Sequence, residues 1–241
     1  MSQHRQVRPS SATQLALGVH LSASRRLDNF VATENAQALQ SVVQLLQNAD
    51  AGQIYLQGPS GSGKSHLLQG ACAEIAAQNA QVSYIPLTER AGLDVQMLAS
   101  LAHCQLICLD DVDTIANDQE WQRAVFNLYN EAEARGTRML FSACQEPVCL
   151  SLVDLASRLQ AALRVILRSA TDASRAEVLS ERAKAFGFEL DEEALVYILQ
   201  HYSRDMHHLV QLLEDLDRYS LVAKRRVSLS LLRKFLRQRE A

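Results

Sequence analysis

The segment GPSGSGKS at residues 58–65 restricts the possible folds of this 241-residue chain more than any other stretch. It places Gly58, Gly63, Lys64 and Ser65 at the spacing of a phosphate-binding P-loop. The apolar run QIYLQ precedes the segment, and the helical pattern HLLQGACAEIAAQ follows it. A P-loop requires this strand–loop–helix context, so the sequence predicts an α/β nucleotide-binding fold.

Each residue type in the segment suits phosphate binding. Glycines let backbone N–H groups turn toward phosphate oxygens, and the N-terminus of the next helix adds partial positive charge. We expect Lys64 to reach the β- and γ-phosphates and Ser65 to bind Mg²⁺ through its hydroxyl. The alternative is an ordinary strand-to-helix turn. The predicted nucleotide-contacting residues here are Gly58, Pro59, Ser60, Gly61, Ser62, Gly63, Lys64, Ser65 and His66.

Two neighbouring acids, Asp110 and Asp111, end a second apolar run in the segment LICLDDVD. Carboxylates bind Mg²⁺ and position water in nucleotide hydrolysis. We therefore expect Asp110 to hold the metal and Asp111 to orient or activate water, with a helix start as the alternative. The run RMLFSACQEP offers Ser142 and Cys144 as sensors of the γ-phosphate. A hydroxyl is the better hydrogen-bonding group and a thiol more often packs, but the sequence does not decide between them.

Five short apolar or β-branched runs alternate with helical patterns, which predicts a five-stranded parallel sheet covered by helices on both faces. The predicted strands are residues 53–57, 82–86, 105–109, 138–143 and 164–168. After Ser169 only helical patterns occur, and the predicted helices are residues 172–186, 191–201, 205–223 and 228–239. We expect a mobile arm at residues 1–24, a nucleotide-binding base at 25–168 and a small helical lid at 169–241.

Composition excludes several other classes of protein. Apolar residues make up 48% of the chain and charged residues 21%, with a net charge of -3, which excludes a disordered chain and a wholly basic nucleic-acid binder. No apolar run approaches the length of a membrane-spanning helix, and the first twenty residues lack a signal-peptide pattern, so a cytoplasmic location is expected. Five cysteines without a C-x-x-C pair predict reduced, buried thiols.

Two local clusters have a functional and a structural interpretation. Residues 224–241 carry seven basic side chains and one acid, Glu240, which suits either contact with DNA or a solvated helix face with leucines packed inward. The solvated face is the more common arrangement and is preferred here. His207 and His208 are adjacent, so in a helix they point about 100° apart and cannot share a metal ion. We expect one to face the core and the other the solvent.

These motifs together resemble the AAA+ ATPases of the DnaA branch, over about residues 25–241. The resemblance is carried by the P-loop, the acidic strand end, DLASRL at 154–159 and SRDMHHL at 203–209. The segment RLDNFV at 26–31 is similar to the one that borders adenine in that branch, which implies contacts from Phe30 and Val31. The family further implies ADP or ATP with Mg²⁺ as ligands, Arg158 as an arginine finger acting on a neighbouring subunit, and Arg204 as a second sensor in the lid.

Within that branch the sequence is more similar to a regulator of the initiator than to the initiator itself. The chain ends after the lid, and QLALG at 14–18 is similar to a sliding-clamp-binding motif, with Gln14, Leu15 and Leu17 as the expected contacts. The implied role is to inhibit replication initiation by stimulating hydrolysis of the ATP on DnaA. The implied partners are DnaA, the DNA polymerase III sliding clamp and, through the clamp, DNA, and a homodimer is compatible with this role.

Cys144 stands where that branch commonly has an acidic residue, so weak intrinsic ATPase activity at most is expected. Two alternatives remain open. One is a DNA-binding helper ATPase of the helicase-loader or transposition type, which works by its own hydrolysis. The other is a nucleotide-stabilised scaffold without a catalytic effect on any partner.

Overall fold

A five-stranded parallel sheet forms the centre of the fold in the computed structural model, which describes residues 25–30, 32, 34–48, 52–202, 206–223 and 228–239. The sheet has the order β2-β3-β4-β1-β5. Its strands are β1 (Gln53–Gln57), β2 (Val82–Pro86), β3 (Leu106–Asp110), β4 (Arg138–Ala143) and β5 (Leu163–Ile166). The predicted fold class is confirmed, and every strand boundary lies within two residues of its predicted position.

Eight α-helices lie in the described part of the chain. They are α1 (Ala36–Gln47), α2 (Lys64–Ala76), α3 (Gln119–Arg135), α4 (Val153–Ala161), α5 (Asp172–Ala185), α6 (Glu192–His201), α7 (Met206–Ala223) and α8 (Leu229–Arg239). Short 3₁₀ segments occupy Leu27–Asn29, Leu87–Gly92, Val95–His103, Val112–Ile115 and Pro147–Cys149. None of the helices described combines the length and the apolarity that crossing a membrane requires.

Helices cover both faces of the sheet because successive side chains of a strand point to opposite sides. In β1, Ile54 and Leu56 pack with α1 and α2, whereas Tyr55 packs with α3 and α4. All five strands run in the same direction, so their carboxyl ends meet at one edge. The chain leaves β1, β3 and β4 at this edge, which brings Gly58, Asp111 and Cys144 to the same side of the sheet.

Helices α5 to α8, here called the lid, pack around a separate apolar core. The residues up to 168 are called the base. In α8 the leucines at 231, 232 and 236 are buried, while the side chains of Arg233, Lys234 and Arg237 are exposed. This arrangement agrees with the preferred interpretation of the basic C-terminal segment as a packed helix with a solvated face.

All five cysteines are free thiols, as predicted, but their predicted burial is wrong for two of them. Cys72, Cys104 and Cys108 are buried, whereas Cys144 is exposed and Cys149 is partly exposed. Both exceptions lie in the loop between β4 and α4. Apolar composition alone could not distinguish this loop from the strand before it.

Candidate functional site

The loop between β1 and α2 depends on glycine at two positions. Gly63 has a φ of 100°, and a Cβ atom there would lie 2.7 Å from Cε2 of Phe30. A Cβ atom on Gly58 would lie 2.7 Å from the carbonyl oxygen of Leu167. Helix α2 begins at Lys64, so the backbone N–H groups of its first turn have no partners within the helix. The loop therefore presents the donor groups that bind an anion.

Lys64 is buried and folds back over this loop. Its Nζ donates hydrogen bonds to the carbonyl oxygens of Gly58 at 2.7 Å and Pro59 at 2.9 Å, and it lies 3.7 Å from Sγ of Cys144. Hydrogen bonds between an ammonium group and phosphate oxygens are stronger than those to neutral carbonyls. A bound phosphate can therefore draw the ammonium group away from these carbonyls.

The two acids at the end of β3, Asp110 in the strand and Asp111 just after it, occupy different environments. The carboxylate of Asp110 is buried, and it accepts hydrogen bonds from the hydroxyl of Tyr84 at 2.6 Å and from that of Ser142. Asp111 has a left-handed backbone, with a φ of 56°, and it lines the pocket described below. Its backbone N–H donates to Oγ of Ser142 at 2.9 Å. The structure thus buries one acid and directs the other into the pocket.

Burial raises the pKa of Asp111 to about 6, and the neighbouring charge of Asp110 adds to the effect. The positive charge of Lys64 partly opposes this shift. A carboxyl group with a pKa near 6 is mostly ionised at neutral pH, yet it is a better proton acceptor than an ordinary aspartate. Asp111 therefore has the properties of a residue that orients or activates water.

The structure distinguishes the two candidate sensors. Ser142 is 0% exposed, and its hydroxyl is engaged with the acids, so it cannot contact a ligand directly. Cys144 is exposed and lines the pocket. Its exposure does not fit a buried packing role, because Ala143, the residue before it, is the last buried residue of β4.

A pocket of about 470 Å³ lies between the base and the lid, within the range of small-molecule sites. The base contributes loop residues 60–66 together with Arg25, Asn29, Phe30, Glu34, Asn35, Asp111 and Cys144. The segment between β5 and α5 contributes Ala170, and the lid contributes Ser174, Val178, Arg182, Met206, His208, Val210, Gln211 and Glu214. Every predicted contact from Ser60 to His66 lies on its wall, and so does Phe30.

His66 connects helix α2 to residues 26–30, the segment that precedes α1. Its ring packs edge-on against Phe30 at a centroid distance of 5.4 Å. Its Nε2 lies 2.8 Å from the carbonyl oxygen of Arg26 and 3.0 Å from Oδ1 of Asn29. Burial lowers the pKa of His66 to about 4, so the ring is neutral at pH 7. Since both partners are acceptors, Nε2 carries the proton and donates.

Sequence reasoning missed several polar residues of the pocket. Arg182 of α5 is half-buried, and burial lowers its pKa while the charges of Glu214 and Asp28 raise it. Nothing local in the sequence marks Arg182 or Glu214, because the packing of the lid brings them to the pocket. Arg25 borders RLDNFV, so its proximity to that segment was the one available signal. His208 is exposed and lines the pocket, in agreement with the prediction that one of the two histidines is solvent-facing.

Four predicted site residues within the described residues do not line the pocket, namely Gly58, Pro59, Asp110 and Arg158. Arg158 is on α4 and does not line the pocket; its guanidinium forms an ion pair with Glu133 at 3.2 Å, with both side chains more than 40% exposed. It also lies 5.8 Å from the ring centroid of Tyr129. Five predicted residues fall outside the described residues, namely Gln14, Leu15, Leu17, Val31 and Arg204.

Two family models match consecutive parts of the chain. The model of the bacterial DnaA ATPase domain matches residues 21–168. The model described as the lid domain of Hda matches residues 172–236. The break between the two matches falls in the segment that connects β5 to α5.

Solved structures of DnaA and of RuvB have the same fold. Domain III of DnaA from Thermotoga maritima is 20% identical, with a TM-score of 0.76 over 91% of this chain and 98% of that one. AMPPCP-bound DnaA from Aquifex aeolicus is 24% identical, with a TM-score of 0.68 over 81% and 67%. The RuvB Holliday junction branch migration motor of T. maritima is 17% identical, with a TM-score of 0.63 over 89% and 72%. At these identities the likeness shows the AAA+ fold alone.

Proposed function

The chain belongs to the family of bacterial DnaA ATPase domains, and on this premise we propose that it is a nucleotide-bound regulator that switches off the replication initiator DnaA. It stimulates hydrolysis of the ATP bound to DnaA by inserting Arg158 at the partner's nucleotide. The match of residues 172–236 to the Hda lid supports a regulator rather than another AAA+ protein. In this proposal the nucleotide-binding base spans residues 25–168 and the helical lid spans residues 169–241.

The position of Arg158 is the observation that carries this proposal. Its guanidinium lies on the surface of α4, away from the pocket of its own chain, so it is accessible to a partner. Exposed ion pairs such as that with Glu133 contribute little stability and are readily exchanged for a stronger anion. An arginine finger supplied in trans accelerates phosphoryl transfer roughly 10³- to 10⁵-fold.

The pocket of the chain itself holds ADP or ATP with Mg²⁺ in this proposal. Its volume, the loop glycines and the position of Lys64 support nucleotide binding. Lys64 holds the phosphates, and Phe30 and Val31 border the adenine ring. Arg204 reaches the phosphates from the lid. The bound nucleotide fixes the base and lid in the orientation that presents Arg158.

The residues near the loop also fit a Mg²⁺ ion. Such an ion takes one or two protein oxygens together with phosphate oxygens, so it needs no cage of protein ligands. Ser65 and Asp111 line the pocket, and each oxygen of Asp110 has a second lone pair beyond its bond to Tyr84 or Ser142. When bound, Mg²⁺ would neutralise phosphate charge. Ser65, on the wall of the pocket, is proposed to hold it directly, and Asp110, which is buried and does not line the pocket, is proposed to hold it through an intervening water.

Cys144 makes intrinsic hydrolysis slow in this proposal. A thiol is a weak hydrogen-bond donor, so it stabilises developing phosphate charge less well than a strong polar sensor. Asp111 is still placed to orient water. The chain therefore retains its nucleotide long enough for it to act as a structural ligand.

We further propose that the N-terminal segment binds the sliding clamp as an extended peptide. Gln14 supplies amide hydrogen bonds, and Leu15 and Leu17 fill an apolar groove of the clamp. Docking on a clamp loaded on DNA raises the local concentration of the regulator near DnaA. A homodimer in which Arg158 is covered provides a resting form of the regulator.

Turnover of DnaA-bound ATP in the presence of the clamp and DNA tests the finger. Arg158→Ala is expected to reduce the stimulation at least about 10³-fold, while Arg123→Ala, an exposed change on α3, leaves it unchanged. Normal stimulation by Arg158→Ala excludes the finger assignment. Strong turnover by the chain alone, abolished by Asp111→Asn, indicates a helper ATPase instead.

A pull-down on the sliding clamp tests the peptide. The triple variant Gln14→Ala, Leu15→Ala, Leu17→Ala is expected to lose clamp binding. The triple variant should bind ADP as the wild type does, because these residues lie outside the pocket in the proposal. Full clamp binding by the triple variant assigns the contact to another surface.

A further inference from the structure

Asn35 connects parts of the chain that are far apart in the sequence. Its side chain is 8% exposed. Its Nδ2 donates to the carbonyl oxygens of Ser62, at 3.2 Å, and Arg168, at 3.0 Å, while its Oδ1 accepts the backbone N–H of Arg168 at 2.8 Å. Ser62 belongs to the P-loop, and Arg168 belongs to the segment 167–171 that joins β5 to α5, here called the hinge. One buried carboxamide therefore joins the P-loop to the hinge.

The hinge also packs directly against the start of the P-loop. The backbone N–H of Leu167 donates to the carbonyl oxygen of Gln57 at 2.7 Å. The absence of a side chain at Gly58 is what allows the carbonyl of Leu167 to approach, since a Cβ atom there would lie 2.7 Å from it. A shift of the loop at Gly58 must therefore be accompanied by a shift of the hinge.

Glu34, the neighbour of Asn35, extends this connection to the first helix of the lid. Its Oε1 accepts the backbone N–H of Thr171 at 3.3 Å and the hydroxyl of Ser174. Thr171 in turn caps α5 by accepting the N–H of Ser174 at 3.1 Å. Residues 34 and 35 together thus contact the P-loop, both ends of the hinge and the start of the lid.

We propose that Asn35 is a positioning residue that couples occupancy of the P-loop to the orientation of the lid. The inference rests on the proposed nucleotide binding. A bound phosphate turns the N–H groups of the loop inward and so fixes the directions of the carbonyls between them, including that of Ser62. The carboxamide of Asn35 donates one N–H to the carbonyl of Ser62 and the other to the carbonyl of Arg168. Fixing the carbonyl of Ser62 therefore also restrains the position of Arg168. Linkage makes the effect reciprocal, so an ordered hinge increases the affinity for nucleotide.

Hydrogen exchange on the full-length chain, with and without saturating Mg²⁺ and ADP, tests the coupling. In the wild type, ADP is expected to slow exchange both in the P-loop and in the hinge. In Asn35→Ala the P-loop is still protected, but the additional protection of the hinge by ADP is lost. A purely structural role would change exchange at the hinge before ADP is added and leave the ADP-dependent difference intact.

A second variant guards against a failure of Asn35→Ala to fold. Asn35→Asp keeps an acceptor for the N–H of Arg168 but loses both donated bonds, so it should also lose ADP-dependent protection of the hinge. Asn127→Ala, an exposed change on α3, serves as the matched control and should behave as the wild type.

The dissociation constant for ADP gives an independent measure of the coupling. It should rise about tenfold in both Asn35 variants and stay unchanged in Asn127→Ala. An unchanged constant, or wild-type protection of the hinge in both Asn35 variants, overturns the coupling. If ADP fails to protect the P-loop of the wild type, nucleotide binding itself is wrong and the coupling falls with it.

Discussion

At the scale of single residues, Ser142 bonds to both acids at the end of β3. Its hydroxyl donates to Asp110, and the same oxygen accepts the backbone N–H of Asp111 at 2.9 Å. Asp110 is thereby held in the core, and Asp111 is turned toward the pocket in a left-handed conformation. One fully buried serine thus bonds both to the carboxylate of Asp110 and to the backbone of Asp111.

Ser142→Ala is expected to lower the free energy of unfolding by about 1–3 kcal/mol, because it leaves a buried oxygen of Asp110 and the N–H of Asp111 without this partner. Urea denaturation measures the change. Ser41→Ala removes an exposed hydroxyl that is bonded within α1, so it should change stability by less than about 0.5 kcal/mol. Equal effects of the two substitutions would contradict the role assigned to Ser142.

His66 should make stability depend on pH. Its pKa is lowered to about 4 in the folded chain, whereas an unfolded histidine titrates near its ordinary value of 6.5. The unfolded state therefore binds more protons between these values, and stability falls as the pH drops from 6.5 toward 4. The slope approaches about 1.4 kcal/mol per pH unit.

Urea denaturation between pH 7 and pH 5 measures this slope. His66→Gln should flatten the profile, because the amide does not titrate, while His103→Gln, at an exposed position, should leave the profile as it is in the wild type. An unchanged slope in His66→Gln would show that other groups cause the acid sensitivity.

The sequence predicts the role of a residue well when the groups that it contacts are close to it along the chain. The P-loop positions follow from local spacing, and the wall of the pocket includes Ser60 to His66. The role of Ser142 depends on how β3 and β4 align, and that of Asn35 on contacts 27 and 133 residues away. No local pattern contains such information, so these residues emerge only from the folded chain.

At the scale of elements, the strands are readily predicted because a parallel sheet covered on both faces requires continuous apolar runs. The order β2-β3-β4-β1-β5 could not be predicted, since each run is compatible with several neighbours. Strand β5 also ends at Ile166 rather than at the predicted residue 168. The N–H of Leu167 still bonds to Gln57, the last residue of β1, and the ladder ends there because β1 gives way to the loop at Gly58.

Helix α4 contains buried packing residues, among them Leu155, and one exposed residue proposed for function, Arg158, and the two kinds should respond differently to substitution. Arg158→Ala should cost less than about 1 kcal/mol of unfolding free energy, because its ion pair with Glu133 is exposed. Leu155→Ala, on the same helix but 0% exposed, should cost about 2–5 kcal/mol. Chemical denaturation separates the two cases. A loss above about 2 kcal/mol for Arg158→Ala would make Arg158 a structural residue.

At the scale of the whole molecule, the base and the lid have separate apolar cores. Their relative orientation therefore depends on the hinge, on the polar contacts of Glu34 and Asn35, and on whatever fills the pocket between them. A ligand that contacts both walls of the pocket stabilises the folded base, the folded lid and their arrangement together. This dependence makes the nucleotide a structural part of the proposed regulator.

Mg²⁺ and ADP, at a concentration 100 times the dissociation constant, should raise the unfolding free energy by about 2.7 kcal/mol. The chain has one tryptophan, Trp121, buried in the base, so its fluorescence reports unfolding of the base, while circular dichroism reports all the helices. Because the ligand joins both units, the two signals should shift together in urea. Lys64→Ala should abolish the shift, and Lys184→Ala, exposed on α5, should preserve it. A shift of the dichroism signal alone would place the ligand on the lid and contradict a site between the two units.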